Sequence, residues 1–183
     1  YFVAIGLAFL FIEIAMMQKM TLLLHHPIYA IPVVLMAFLV FAGIGSAWTG
    51  ALLSQFNSKQ ILFYAIVSLV IVTTIYSVFL NSLFAWLSSY SIVIKFLISV
   101  ILIAPLALCM GMPMPLALKE MSDKRKGYIP WAWGINGCAS VISAVLASLL
   151  AIHYGFNQVI MLGMGLYIIC LLIFTLPEKV FYQ

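Results

Sequence analysis

Apolar residues fill this chain in six long blocks that do not alternate with polar ones. Crossing the hydrocarbon of a bilayer takes about 20 apolar residues in a helix. Only helices and closed barrels satisfy their own backbone there, and unalternating runs of this length exclude barrel strands. The blocks predict transmembrane helices over about Tyr1–Leu24, Ile28–Leu53, Ile61–Leu80, Ile92–Met110, Trp131–His153 and Val159–Leu176. The expected fold class is therefore all-α, a polytopic six-helix membrane bundle, with residues 1–183 as a single domain.

The breaks between blocks carry turn chemistry. His25-His26-Pro27 ends the first helix, because proline disfavours helical geometry in the residue before it. Residues Gln55 to Gln60 form a short polar turn, and Asn81 to Ser91 read as a serine-rich connection. Trp86 and Tyr90 in that connection suit a membrane interface. Gly111-Met112-Pro113 stops the fourth helix, and the start of the charged stretch that follows suits a short helix on the membrane surface. His153 to Asn157 make the last turn.

Composition agrees with a lipid solvent. Hydrophobic residues make up 67% and charged residues 7%, with a mean hydropathy of +1.27; soluble domains carry about 25% charged residues. The lipid bilayer is thus the first expected partner. The few basic residues lie mostly in one loop, which gives no footprint for nucleic acid. Lys59, Lys119, Lys124, Arg125, Lys126 and Lys179 fall on one side of a six-span topology, against Lys95, with Lys19 at the end of the first helix. The positive-inside rule makes the rich side cytoplasmic and puts both termini there. The apolar run is already under way at Tyr1, so more chain is expected before it. Cys109, Cys138 and Cys170 lack CxxC spacing and read as small buried hydrophobes, with no metal site or cofactor expected.

Chemistry concentrates on few positions. Glu13 stands near the middle of the first block, where an acid costs at least a few kcal/mol. It must face the interior, be protonated or find a partner. Lys19 lies six residues on, about 9 Å along the axis and on another face, so it is expected to snorkel to the outer interface. Glu13 with Gln18, Asn136 and Ser140 is the candidate substrate or proton pathway. The alternative makes Glu13 a hydrogen-bonded acid that glues helices. Asn136, Ser140, Ser143 and Ala147 share one side of the fifth span. Thr74, Ser77 and Asn81 form a weaker stripe on the third. Gly43, Ala47 and Gly50 on the second span, with Gly134 and Gly137 on the fifth, are expected at close helix contacts. There is no GxSxG, HExxH or P-loop, so no enzyme is expected within these residues.

Several ordered phrases carry a resemblance. "FIEIAMMQKMTLLLHHPIYAIPVVL", "GIGS", "GMPMPLALK" and "PWAWGINGCASVISAVLA" resemble the carboxy-terminal membrane half of bacterial spermidine-synthase-like membrane proteins. The resemblance implies a bacterial inner-membrane bundle similar to half of a major facilitator transporter. It implies a cytosolic aminopropyltransferase-like domain before residue 1, so any such activity would lie outside this chain. Gly43, Gly45 and Gly50 before Lys59 match the glycine-rich loop motif of that superfamily, without its acidic residue and basic cluster. Two functions follow as expectations. One is a transporter-like domain handling a small cationic or amine compound. The other is a membrane anchor in a larger complex, bound to other membrane helices. An intramembrane enzyme pairing Glu13 with His26 or His153 ranks last.

Overall fold

A computed structural model describes residues 1–124 and 126–176. Seven α-helices run in chain order: α1 (Phe2–Leu24), α2 (Pro27–Leu52), α3 (Ser58–Leu87), α4 (Ile92–Met110), α5 (Pro113–Lys124), α6 (Ile129–Tyr154) and α7 (Phe156–Thr175). A 3-10 turn at Lys126–Tyr128 joins α5 to α6, and the described residues contain no strand. All but α5 begin spans long and apolar enough to cross a membrane. Large apolar side chains such as Leu39, Val78, Val141 and Ile152 point outward. An apolar exterior around an apolar core suits a bundle dissolved in lipid.

The first turn forms as its sequence dictates. His25 takes a left-handed conformation, φ 59°, that caps α1, and Pro27 starts α2 where a missing N–H costs nothing. One boundary departs from expectation. The third helix does not stop at Leu80 but continues to Leu87, through Asn81 and Ser82. Leu80 and Leu87 are buried and Leu83 and Phe84 half-buried against the core. That i, i+3, i+4, i+7 spacing is a helical stripe, and it outweighs the weak helix preference of Asn81 and Ser82 between. At 30 residues α3 spans about 45 Å, more than the hydrocarbon thickness of about 30 Å, so it must tilt or protrude.

α1 is the central helix, packed against α2, α4, α6 and α7. The other neighbours are α2 with α4, α3 with α4, α3 with α7, and α6 with α7. Exchanging α1 with α4, α2 with α6 and α3 with α7 preserves most of this pattern: α1–α6 maps to α4–α2 and α1–α7 to α4–α3, while α1–α4 and α3–α7 map to themselves. The α1–α2 and α6–α7 contacts lack counterparts of similar extent. Because α1 and α4 start at opposite ends, this partial symmetry of the contacts relates the two three-helix halves in inverted orientation.

Tyr1 and Phe174 stack at one end with ring centroids 5.6 Å apart. There the Tyr1 hydroxyl donates to the Pro113 carbonyl at 2.9 Å and Lys59 Nζ to Thr175 O at 3.4 Å. α5 crosses this end, touching α1, α2, α3 and α6 through a face that buries Leu116 and Ala117. The described residues thus gather Tyr1, Lys59, Lys119 and Thr175 at one end; Arg125 and Lys179 lie outside them. The opposite end holds His26, Tyr29 and Phe96 in a run of ring contacts, with Lys95 Nζ donating to Ser88 O at 3.0 Å.

Candidate functional site

Glu13 faces the interior of the bundle on the central helix. It is 6% exposed, between the buried Ile12 and Ala15. Its carboxylate makes no hydrogen bond or ion pair with another described residue. The neighbouring Ile12, with Ala8, meets α7 closely. Gly163 of α7 sits where a Cβ would stand 2.8 Å from Ile12 Cγ1 and 3.3 Å from Ala8 O, so α1 and α7 meet nearly backbone to backbone. One turn along α7, Tyr167 is completely buried, and its hydroxyl has no hydrogen-bond partner. Glu13 lies within electrostatic reach of that phenol, as do Tyr1, Cys109 and Cys170. Among the described residues the side-chain oxygens fully buried without a partner are the Tyr167 hydroxyl and Asn136 Oδ1, against the general rule that buried polar atoms are satisfied. Tyr167 carried no sequence signal: it is one aromatic in an apolar block.

Gln18 and Lys19 exchange the places expected of them. Gln18 is exposed on the outer face of α1, apart from Glu13. Lys19, instead of snorkelling outward, is 6% exposed and packs inward against α3 and α7. The cause is helical phase. Glu13, Met16 and Met20 lie at i, i+3 and i+7 on the buried face, which takes in Lys19 and leaves Gln18 outside.

Asn136 and Ser140 sit half-buried on α6, where it crosses α1. A Cβ at Gly6 would lie 2.6 Å from Asn136 O and 3.0 Å from Asn136 Oδ1, so glycine admits this close crossing. Asn136 Oδ1 is buried without a partner. Ser140 Oγ donates back to Asn136 O at 2.9 Å, within its own helix. The bond between the helices comes from Ser143, fully buried, whose Oγ donates to Leu7 O at 2.8 Å. The polar side of α6 thus faces α1 near its start, while Glu13 stands about two turns further along α1. On α3 the buried hydroxyl is Thr73, donating to Leu69 O, and Thr74 is exposed.

The glycines expected at helix contacts correct in a consistent way. Gly43, Gly50, Gly134 and Gly137 have nothing within 4 Å of a would-be Cβ, and Ala47 is exposed. The close approaches use Gly6, Gly45, Gly111 and Gly163. Gly45 lies against the Leu108 carbonyl and Gly111 against the Ala42 carbonyl, a reciprocal contact of α2 with α4. The face of α2 that packs on α4 carries Gly45 and Thr49, and the Gly43, Ala47, Gly50 stripe points away from it. Of the cysteines, Cys170 is buried, Cys109 half-buried and Cys138 exposed, so the last departs from the buried-hydrophobe expectation.

Family models, curated proteins and solved structures were compared with the chain, and none matches it.

Proposed function

We propose that this membrane bundle is a transporter-like domain that binds a small cationic or amine-bearing compound, or a proton, at Glu13. One observation carries the reading: a buried, unpartnered carboxylate at the centre of the central helix. Helix glue needs a hydrogen bond across the interface, and Glu13 makes none. An acid kept at membrane depth without a partner is held for a ligand or proton. The Tyr167 hydroxyl, also unpaired in the core, is a second polar group free to take a hydrogen bond. The approximate symmetry of the helix contacts fits half of a major facilitator bundle, and the reading adopts with it the spermidine-synthase-like resemblance and its bacterial inner-membrane setting. In this reading the lysine-rich end is cytoplasmic. The exposed small-residue stripes of α2 and α6 then face other membrane helices that complete the cavity.

Uptake of a labelled small amine into vesicles containing the assembled protein tests this. Glu13→Gln should flatten the pH dependence of uptake. A variant that follows the wild-type profile at every pH removes Glu13 from the pathway. The burial of Glu13 favours a second reading, a non-transporting anchor for a larger complex. Under it, Glu13→Gln leaves uptake absent in both forms and changes only the yield of assembled complex.

A further inference from the structure

Lys19 is a buried cation without a counter-charge. It lines a small pocket between α1, α3 and α7 with Thr73, Tyr76, Ser77 and Asn157, walled otherwise by leucine, isoleucine and methionine. Its ammonium makes no hydrogen bond or ion pair with another described residue. The chain has no acidic residue between Glu13 and Glu120. Glu13 is about 9 Å away along the helix axis, and Glu120 belongs to α5 at the opposite end of the bundle.

The second positive element is the start of α7. Its N-cap is Gly155, which offers no side chain to the free N–H groups of the first turn, and no acidic residue lies in that turn. The partial positive charge of a 20-residue helix therefore stays uncompensated beside Asn157, its second residue. The hydroxyls of Thr73 and Tyr76 already donate to Leu69 O and Leu102 O. The donors left to face the pocket are the Lys19 ammonium, the Asn157 amide and, by rotation from Thr74 O, the Ser77 hydroxyl. The Asn157 carbonyl oxygen and the hydroxyl oxygens can accept from Lys19, but none of the lining groups carries a negative charge, so the local charge is positive.

We propose that this pocket binds one halide-sized anion, such as chloride, which neutralises Lys19. The size of the pocket decides between anions. Its volume of about 10 Å³ seats one particle near the size of a water molecule. That is the lower limit for a single water, so a monatomic halide, somewhat larger, enters only as the flexible Met161, Met164 and Lys19 side chains yield, and a tetrahedral phosphate, free or on a lipid headgroup, is too large. Water fits but leaves the charge unbalanced.

The test uses the purified protein in nanodiscs of zwitterionic lipid, with chloride exchanged for gluconate at constant ionic strength. Thermal unfolding and chloride-35 line broadening are read across the exchange. The expected result is saturable stabilisation by chloride and bromide, with broadening that bromide competes away. Lys19→Met should abolish both effects. Asn157→Leu, outside the core and thus safe for folding, should weaken the apparent chloride affinity by about tenfold, the loss of one hydrogen bond to a charge. The proposal is overturned by equal stability in chloride and gluconate, by unchanged chloride response in both variants, or by stabilisation that only anionic phospholipid supplies.

Discussion

The same substitution made two residues apart on α2 should move stability in opposite directions. At Gly45 an added methyl group meets the Leu108 carbonyl, with the Leu108 carbonyl carbon 2.9 Å and Cα 3.1 Å away. These are backbone atoms of a packed helix, so they cannot rotate aside, and the reciprocal contact of Gly111 with Ala42 resists separation of the helices. Overpacking costs about 1–3 kcal/mol, and a backbone clash belongs at the upper end. Replacing a helical glycine by alanine returns about 0.5–1 kcal/mol of backbone entropy. Gly45→Ala should therefore cost about 2 kcal/mol. At Gly43 the new methyl meets nothing, so Gly43→Ala keeps only the gain of about 0.5–1 kcal/mol. The difference, about 3 kcal/mol, is about two orders of magnitude in the folding equilibrium. Thermal unfolding in mild detergent reads it: about 4–8 °C lower for Gly45→Ala and slightly higher for Gly43→Ala. Shifts of the same sign and size at both sites would refute the packing of α2 described above. In the assembled protein the sign at Gly43 should reverse, because a helix docked on that face would collide with the methyl.

Four further outcomes follow from named contacts. Glu13→Met should raise stability by about 2 kcal/mol, since an unpartnered acid is replaced by an apolar chain of similar length; denaturation midpoints in detergent decide it. Ser143→Ala should lower stability by about 0.6–1 kcal/mol through loss of the bond to Leu7 O, and Ser140→Ala by less, because its bond stays within α6. Tyr76→Phe should cost about 1 kcal/mol, as its hydroxyl serves the Leu102 carbonyl beside the interruption at Pro105 in α4. Gly155→Ala should cost about 1–2 kcal/mol, because Gly155 turns the chain at φ 85°, which side-chain-bearing residues rarely adopt; unfolding by the same assay tests both.

Much of this molecule is written in local sequence. Six apolar blocks of spanning length, separated by His-Pro, Gly-Met-Pro and Tyr-Gly breaks, demand helices because lipid offers the backbone no other partner. The burial of Glu13 followed from the same rule. The extension of α3 to Leu87 was also present, in the spacing of Leu80, Leu83, Phe84 and Leu87, but the serines and asparagine beside them masked it.

The faces of those helices were not legible. In a soluble helix, polar residues mark the outside; here both sides of every span are apolar, so the pattern leaves the rotation of each helix open. That is why small residues at Gly43 and Gly50 looked equivalent to Gly45, and why Gln18 looked as inward as Glu13. Only the neighbours of α1, fixed through Gly6, Ser143 and Gly163, decide that Glu13 and Lys19 turn in and Gln18 turns out. Tyr167 depends on the same packing: it is fully buried because two helices distant in sequence meet one turn away at a glycine. The chain's own chemistry determined that it forms six helices long and apolar enough to cross a membrane. The choice of which polar groups meet inside belongs to the tertiary structure, since lipid accepts any apolar face and only close backbone contact selects one.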